Sequence, residues 1–292
     1  MEPDTVPAVD TGVTIVTGAA SGMGLATARR LLRPRETMLL VDLDAAKLDS
    51  VRADLAEYSA GQEWVQTLVA DVTDTDAMAA LAAKVQGVGP FRTLAHAAGI
   101  SPTMGEWWPM IHVDLVGTAN ILQALLPLAE PGTVAVCWAS NSAHMGPTPA
   151  GDPVLDPILD NPLSPDLRSR LDAALEGRWD TPTGSGDAYG WAKRGVIRLV
   201  RREASAWGAR GGRLLSVSPG IINTPMSRQE LEKQPMMQVM LDNTPVPRMG
   251  APSEVADLVA FLVSDNAGYL TGTDILIDGG VSATLEGMLN PS

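Results

Sequence analysis

Seven short apolar runs alternate with longer stretches of helical pattern, and this alternation limits the fold more than any other feature of the sequence. The runs are almost continuously hydrophobic, which is typical of parallel strands covered on both faces. Their regular succession predicts an α/β fold, a doubly wound parallel seven-stranded sheet flanked by helices. The predicted strands are residues 13–17, 37–41, 65–70, 91–95, 133–139, 213–217 and 274–277. The predicted helices are residues 22–32, 45–58, 74–85, 107–126, 188–207 and 253–263.

The length of 292 residues and the hydrophobic content of 45% allow one large core, and we expect a single domain over residues 1–292. Residues 147–186 interrupt the alternation with seven prolines and with seven acidic residues against three arginines. A loop of this length in a compact domain is usually functional or disordered. The apolar residues within it favour a lid over a ligand site, and a solvated surface insertion is the alternative.

The charge and the composition exclude several classes of partner. Thirty-four acidic residues against 21 basic ones give a net charge of −13, without a basic cluster that could bind nucleic acid. The one cysteine and the three scattered histidines predict neither a disulfide framework nor a metal site. The N-terminus lacks the features of a secretory signal, and we find no apolar run near the roughly 20 residues of a membrane span. We expect a cytoplasmic protein.

A glycine-rich turn joins the first predicted strand to the first predicted helix. Gly18, Ser21, Gly22, Met23 and Gly24 bring backbone N–H groups to the start of that helix. These groups and the positive end of the helix dipole suit a diphosphate. The spacing G-x-x-x-G-x-G differs from G-x-G-x-x-G, and such turns also occur for packing alone. The turn therefore favours a dinucleotide site.

Two aspartates follow the next two predicted strands. Asp42 ends the second strand, where a carboxylate accepts hydrogen bonds from a ribose and repels a 2′-phosphate. This position predicts NAD rather than NADP, with capping of the next helix as the alternative. Asp71 with Val72 lies where an adenine could be bound, and Asp71 could equally cap the helix that begins near Asp74.

Tyr189 and Lys193 are spaced i, i+4 in a predicted helix, which brings a phenol and an ammonium to one face. A tyrosine of ordinary pKa, about 10, is a poor base at neutral pH. A nearby ammonium and a cationic nicotinamide ring would lower that pKa toward the working pH. The spacing alone occurs often by chance.

Several motifs occur in a fixed order at the ends of the predicted strands. They are residues 17–24, Asp42, Asp71, Ala97-Ala98-Gly99, Ser140, Tyr189 with Lys193, Ser218-Pro219-Gly220 and Asp278-Gly279-Gly280. Together they resemble the short-chain dehydrogenase/reductase family over roughly residues 10–282. The long insertion before Tyr189, with residues 206–208, 248–254 and 277–280, is similar to the bacterial 3α-hydroxysteroid dehydrogenase/carbonyl reductase group.

The resemblance implies a Rossmann-like fold and NAD(P)-dependent oxidation of a secondary alcohol or reduction of a ketone. It implies that Tyr189 is the general acid and base, that Lys193 binds the nicotinamide ribose, and that Ser140 binds the substrate oxygen. The further implied cofactor-binding residues are Ala97, Ala98, Gly99, Pro219, Gly220, Ile222 and Thr224. The substrate is expected to be a bulky, mainly apolar or cyclic alcohol or ketone, such as a steroid-like one.

Three positions depart from the family pattern. His96 stands where the family has the first Asn of its Asn-Ala-Gly stretch, and Asp114 stands where the family has a catalytic Asn. An aspartate could still hold a relay water near Lys193, but its charge would oppose the lowering of the tyrosine pKa. The serine motif offers Ser140, which we select because it ends the fifth strand, and Ser142 as the alternative.

The apolar residues of the helix at 107–126 suggest a homodimer or homotetramer, since such helices pair between subunits in this family. These residues are Val113, Leu115, Val116, Ile121, Leu122 and Leu125.

The departures at His96 and Asp114 leave a second class of function open, an NAD-binding module or sensor without turnover. A nucleotide-sugar epimerase or dehydratase fits the glycine spacing less well.

Overall fold

The computed structural model describes residues 12–59, 62–145, 148–181 and 184–289. Within them, seven strands form one sheet in the order β3-β2-β1-β4-β5-β6-β7, and every neighbouring pair is parallel. The fold prediction is confirmed. The strands are β1 (Val13–Thr17), β2 (Thr37–Asp42), β3 (Val65–Val69), β4 (Phe91–His96), β5 (Val134–Trp138), β6 (Arg213–Pro219) and β7 (Asp274–Ile277).

The helices include all six predicted ones and several shorter ones. They are α1 (Gly22–Leu31), α2 (Ala45–Ala56), α3 (Thr75–Val88), α4 (Trp107–Pro109), α5 (Gly117–Leu125), α6 (Leu155–Leu159), α7 (Leu167–Leu175), α8 (Gly184–Gly208), α9 (Pro225–Lys233), α10 (Pro235–Asp242), α11 (Pro252–Leu262) and α12 (Val281–Leu289). The predicted helix at 107–126 is interrupted by a π-helical segment, Met110–Val116, which joins α4 to α5. The short helices α6, α9, α10 and α12 were not predicted.

Neighbouring side chains of each central strand point to opposite faces of the sheet, and a helical layer covers each face. Ile15 packs with α3, α5 and α8, whereas Val16 packs with α1, α2 and α11. Both residues are fully buried. Burial on both faces explains the continuous apolar runs, because a strand between two helical layers has no solvent side.

Residues 148–181 of the predicted insertion pack onto the layer that contains α8. Arg194 and Arg198 of α8 form ion pairs of 2.8 and 2.5 Å with Asp156 and Asp160 beside them. Beneath these ion pairs lies a set of buried apolar side chains from the insertion. They are Leu155, Ile158, Leu159, Leu167, Leu171, Leu175 and Trp179. Residues 147, 182 and 183 of the insertion, like residues 1–11, lie outside the described part of the chain.

The helix run Trp107–Leu128 is long and apolar enough, by length and composition, to cross a membrane. This corrects the expectation that no apolar run approaches that length. Of its most apolar window 56% is buried inside the fold, and the π-helical segment packs against α8. The run is therefore a core helix of the α/β fold. It resembles a membrane span only in its length and composition.

The residues that suggested pairing between subunits are covered within the chain. Leu115, Ile121, Leu122 and Leu125 are buried, and Val113 and Val116 are half-buried. Their burial is explained by the sheet, by α8 and by the insertion. It therefore gives no reason for a second subunit at this face.

Candidate active site

A cleft opens at the carboxyl ends of the strands, where the order of the sheet reverses between β1 and β4. In open α/β sheets this switch point is where ligands bind. The cleft holds a cavity of about 350 Å³. Predicted site residues that line it are Gly18, Ser21, Gly22, Met23, Gly24, Asp42, Asp71, Val72, Ala97, Ala98, Gly99, Tyr189, Lys193 and Thr224.

The glycine turn packs too closely against its neighbours for a larger side chain at two positions. A Cβ atom at Gly24 would lie 2.1 Å from the carbonyl oxygen of Gly18. Gly18 has φ +64°, and a Cβ there would lie 2.8 Å from the carbonyl oxygen of Ala97. Ser21 precedes α1 without a side-chain cap, so a bound anion could accept from the backbone at the helix start. The turn thus has the shape and the donors that a diphosphate needs.

Asp42 contacts the glycine turn directly. One carboxylate oxygen accepts from the backbone N–H of Ala20 at 3.0 Å, and the other accepts from Leu43 and Asp44. Asp42 does not cap α2, because that role belongs to Asp44, whose carboxylate accepts from the Lys47 N–H at 3.0 Å. The carboxylate of Asp42 therefore lines the cavity and fixes the turn that precedes α1.

Two further predicted cofactor residues carry local hydrogen bonds at the rim of the cavity. Asp71 accepts from the N–H and the hydroxyl of Thr73, both at 2.8 Å. The cap of α3 is Asp74 instead. Thr224 caps α9 by accepting from the Ser227 N–H at 3.1 Å. The alternative of Asp71 as a helix cap is therefore wrong, while the cofactor-binding role implied for Thr224 stays a prediction.

Tyr189 and Lys193 lie one helical turn apart on α8, and both line the cavity. The ammonium of Lys193 lies 5.5 Å from the centre of the Tyr189 ring. It donates to the carbonyl oxygen of Trp138 at 3.1 Å, at the end of β5. The hydroxyl of Ser140, which follows β5, lies near enough to the Tyr189 phenol to lower its pKa. The i, i+4 spacing thus brings Tyr189 and Lys193 together at the carboxyl edge of the sheet.

Asp114 forms a direct ion pair with Lys193. Its Oδ1 atom lies 3.1 Å from the Lys193 ammonium and also accepts from the Ile100 N–H at 3.1 Å. Both side chains are buried. Asp114 lies in the π-helical segment, and such segments are common at functional sites. The expectation that Asp114 holds a relay water near Lys193 stays a prediction.

Burial raises the pKa of the Tyr189 phenol above its ordinary value. The Lys193 ammonium and the Ser140 hydroxyl lower this pKa, as expected, but Asp114 and Glu230 raise it. The net direction is upward, because burial outweighs the lowering by Lys193, and Asp114 adds to the effect of burial. The lowering expected from a cationic nicotinamide ring stays a prediction.

The ion pair between Lys193 and Asp114 affects the pKa values of both side chains. Burial lowers the pKa of the Lys193 ammonium, but Asp114 and Tyr189 together bring it above its ordinary value. Burial raises the pKa of the Asp114 carboxyl, and Lys193 opposes that effect. The geometry, with two donors on one carboxylate oxygen, favours the ionised pair.

The structure distinguishes between the two candidate serines. Ser140 accepts from the Ser142 N–H at 3.2 Å, and its hydroxyl lowers the pKa of the nearby Tyr189 phenol. The Ser142 hydroxyl is buried, without a hydrogen-bond partner among the described residues. Ser140 does not itself line the cavity, whereas its neighbour Ala139 does. Proximity to the phenol favours Ser140, and its catalytic role stays a prediction.

His96 is buried and connects the glycine turn to the helix that carries Asp114. Thr118 donates its only proton to the carbonyl oxygen of Asp114 at 2.6 Å, so it accepts from Nε2 of His96 at 3.0 Å. Burial, with Lys193 adding to it, lowers the pKa of His96 to about 3, so the ring is neutral with its proton on Nε2. The bare Nδ1 therefore accepts from the Thr17 hydroxyl at 2.8 Å, while the Thr17 oxygen accepts from the Ala98 N–H at 3.1 Å.

Some predicted residues lie away from the cavity, and some cavity residues were not predicted. Of the predicted cofactor residues, Pro219, Gly220 and Ile222 do not line it. Ile222 is buried in the core that contains α1 and α11. Lining residues that were not assigned to the cofactor are Val41, Leu43, Ala70, Ile100, Met104, Val113, Trp138, Ala139, Pro225 and Met226. Most are apolar residues without a motif, so the sequence carries no signal for them except their position after a strand.

Comparison with known proteins agrees with this geometry. The family profile described as short chain dehydrogenase matches residues 12–149, and the profile described as Enoyl-(Acyl carrier protein) reductase matches residues 180–282. The unmatched segment between them lies in the insertion. Galactitol 2-dehydrogenase (L-tagatose-forming) of Cereibacter sphaeroides is 30% identical over 96% of this chain and 98% of its own length. The chain belongs to the short-chain dehydrogenase/reductase family of oxidoreductases.

Other relatives act on different substrates according to their names. Cis-4-hydroxycyclohexanecarboxylate dehydrogenase of Sinomonas cyclohexanicum is 30% identical over 93% of this chain and 96% of its own length. The crystal structure of levodione reductase superposes with a TM-score of 0.72 at 26% identity, covering 94% of this chain and 98% of that one. The closer likeness to 3α-hydroxysteroid dehydrogenase/carbonyl reductase is not confirmed.

Proposed function

We propose that this chain is an NAD-dependent alcohol dehydrogenase and carbonyl reductase, which interconverts a secondary alcohol and a ketone. One observation carries the proposal: the Tyr189 phenol and the Lys193 ammonium line the same cavity as the glycine turn and Asp42. A bound dinucleotide would accept or donate the hydride. The preference for NAD over NADP is supported by the Asp42 carboxylate, which would repel a 2′-phosphate.

The residues of the chain have separate roles in this proposal. The backbone from Gly18 to Gly24 binds the diphosphate, and Asp42 accepts from the adenosine ribose. Tyr189 holds the proton that moves to or from the substrate oxygen, and Ser140 orients that oxygen. Lys193, held by Asp114 and Trp138, binds the nicotinamide ribose. Asp71, Val72, Ala97, Ala98, Gly99 and Thr224 line the remainder of the cofactor cleft.

The substrate class we propose is a bulky, mainly apolar or cyclic alcohol or ketone. Ile100, Met104, Val113 and Met226 give the cavity an apolar side, and aliphatic and thioether side chains adapt to apolar ligands. A relative named for cis-4-hydroxycyclohexanecarboxylate, which carries a secondary alcohol on a ring, supports a cyclic substrate. We propose a cytoplasmic location, in keeping with the sequence. Self-association stays a prediction, and its interface would use a surface other than the buried face of α5.

The test is steady-state turnover with NAD and NADP on a panel of cyclic secondary alcohols, polyols and the matching ketones. Wild-type protein is expected to turn over at least one alcohol–ketone pair. Tyr189→Phe is expected to reduce turnover by about 10²–10⁴-fold while its affinity for NAD, measured by calorimetry, stays within a few-fold of wild type. Full activity in Tyr189→Phe would exclude the catalytic assignment.

The second candidate function is an NAD-binding module or sensor without turnover. The departures from the family pattern at His96 and Asp114 favour it, because Asp114 stands in place of a catalytic Asn and is paired directly with Lys193. NAD binding by calorimetry, together with no turnover of any alcohol or ketone on the panel between neutral and alkaline pH, would support this second function over the first.

A further inference from the structure

We propose that Asn120 is a positioning residue for the adenine of the dinucleotide: acting through Thr73, its side-chain amide fixes the turn after β3 that forms one end of the cavity. The inference rests on the proposed function and adds to it the residues that make the site select adenine over another purine. Asn120 lies on α5 and does not line the cavity, so it acts without touching the cofactor.

The order of the sheet determines which end of the cavity receives the adenine. Lys193 contacts the end of β5, the glycine turn follows β1, and Asp71 and Val72 follow β3. Since neighbouring strands are about 4.8 Å apart, the ends of β3 and β5 lie roughly 19 Å apart, with the glycine turn between them. A dinucleotide with its diphosphate at that turn and its nicotinamide beside Lys193 therefore extends its adenine toward Asp71 and Val72.

The residues after β3 form a tight turn with two carbonyl groups that the turn itself does not use. The Asp74 N–H donates to the carbonyl oxygen of Asp71 at 3.1 Å and closes the turn. Val72 and Thr73 occupy its two central positions, and Val72 is buried. A buried carbonyl group is costly unless it accepts a hydrogen bond. The turn therefore needs a donor from another part of the fold.

Asn120 supplies that donor twice. Its Nδ2 atom donates to the carbonyl oxygen of Val72 at 3.1 Å and to that of Thr73 at 3.2 Å. Both oxygens can only accept, so the amide NH₂ group is the part of the side chain that faces them. Asn120 is buried. One helical turn earlier, a Cβ atom at Gly117 would lie 2.6 Å from Cγ2 of Val72. Helix α5 therefore holds the turn at one defined position.

Two further hydrogen bonds connect this turn to a carboxylate of the cavity. The N–H and the hydroxyl of Thr73 both donate to Oδ1 of Asp71, each at 2.8 Å. Because both bonds use the same oxygen, Oδ2 can accept from the exocyclic amino group of an adenine. Hypoxanthine has a carbonyl oxygen in place of that amino group, and it would bring one acceptor against another. Asn120 and Thr73 thus position the carboxylate that distinguishes the two bases.

The experiment is calorimetry with two probes, NAD and nicotinamide hypoxanthine dinucleotide, and it requires no turnover. Wild type is expected to bind NAD about tenfold more tightly, because only NAD donates a hydrogen bond to the Asp71 carboxylate. Asn120→Leu keeps the approximate size of the side chain and removes the donor. It is expected to lower the affinity ratio several-fold, mainly by weakening the binding of NAD. A merely structural role of Asn120 would weaken both dinucleotides equally.

Gln123→Leu is the matched control, because it replaces an amide by the same aliphatic side chain at an exposed position of α5. It is expected to keep the wild-type ratio. Thr73→Val removes only the hydroxyl bond to Asp71, so it tests the inference even if Asn120→Leu does not fold. It is expected to lower the ratio about two- to threefold. Thr73→Ser retains the hydroxyl and is expected to leave the ratio unchanged.

An affinity ratio equal to that of wild type in folded Asn120→Leu or in Thr73→Val would overturn the inference, as would a wild-type ratio near one. Turnover of the alcohol and ketone panel separates this inference from the proposed function. If no panel substrate is turned over while the affinity ratio shifts as expected, the proposed function fails and the positioning role stands. If turnover is found but the ratio is unchanged in both variants, the inference fails alone.

Discussion

The Lys193 ammonium and the Asp114 carboxylate lie 3.1 Å apart, and both side chains are buried, beneath a cavity lined by the glycine turn. Each group depends on the other, because a charge removed from water is costly unless it is paired. Lys193 donates to the Trp138 carbonyl as well. The pair therefore connects the end of β5, α8 and the π-helical segment, and it contributes to the fold as well as to the site.

Removing Lys193 alone is expected to destabilise the protein strongly. Lys193→Met leaves Asp114 buried without a cation, and breaking one partner of a buried pair costs about 3–5 kcal/mol. The free energy of unfolding, measured by urea denaturation, is expected to fall by that amount. The double variant Lys193→Met with Asp114→Asn is the control, and it is expected to recover part of the loss. Equal stability of the single and double variants would show that Asp114 carries no charge there.

Because His96 is buried in its neutral form, we expect the protein to lose stability in mild acid. Its pKa is about 3 in the folded protein, against an ordinary value of 6.5. Below pH 6.5 the unfolded chain binds a proton that the folded chain excludes, so the free energy of unfolding falls as pH drops from 6.5 toward 3. The stabilisation is fully present above pH 6.5, and its complete loss amounts to about 5 kcal/mol.

His96→Asn keeps a polar side chain without a group that titrates in this range. We expect urea denaturation at a series of pH values to show a shallower loss between pH 6.5 and 4 in this variant than in wild type. His112, which is half-buried beside Trp108, gives the control His112→Asn, with the slope of wild type. A slope in His96→Asn equal to that of wild type would contradict a neutral buried imidazole.

Asp42 is expected to determine the cofactor preference. Asp42→Ala removes the carboxylate that lines the cavity and its hydrogen bond to the Ala20 N–H. The ratio of the dissociation constants for NADP and NAD, measured by calorimetry, is expected to shift toward NADP by tenfold or so, because one charge repulsion is lost. Asp44→Ala, which removes the cap of α2, is expected to cost about 1 kcal/mol of stability without changing that ratio. A ratio unchanged in Asp42→Ala would make Asp42 a structural residue.

The ion pairs between α8 and the insertion are expected to hold the insertion against α8 without affecting the cofactor site. Arg194 contacts Asp156 and Arg198 contacts Asp160, with all four side chains at most about one-third exposed. The double variant Arg194→Ala with Arg198→Ala is expected to speed limited proteolysis within residues 148–181 several-fold. NAD affinity is expected to be unchanged, since none of those residues lines the cavity.

The matched control breaks a different ion pair, one in which both side chains lie largely exposed at the surface. Arg29→Ala breaks the pair with Asp54, in which both side chains are largely exposed, and such pairs contribute about 0–1 kcal/mol. This variant is expected to leave proteolysis of residues 148–181 at the wild-type rate. A large loss of NAD affinity in the double variant would mean that the insertion acts on the cofactor cleft after all.

Much of the fold could be predicted from the sequence, since the relevant signals are local. The strands begin and end within two residues of their predicted bounds, because continuous apolar runs mark strands covered on both faces. The glycine turn and Asp42 meet at the cavity because both follow parallel strands, whose carboxyl ends share one edge. The i, i+4 spacing of Tyr189 and Lys193 required only a helix.

The tertiary structure alone decided the contacts between segments that are distant along the chain. The sequence could name Asp114 and Lys193, but not the direct ion pair between them. No pattern pointed to the packing of the insertion against α8. The physical reason is that periodicity records which face of an element is apolar, whereas the partner of a buried charge depends on how elements pack. That packing sets the balance of charge around Tyr189.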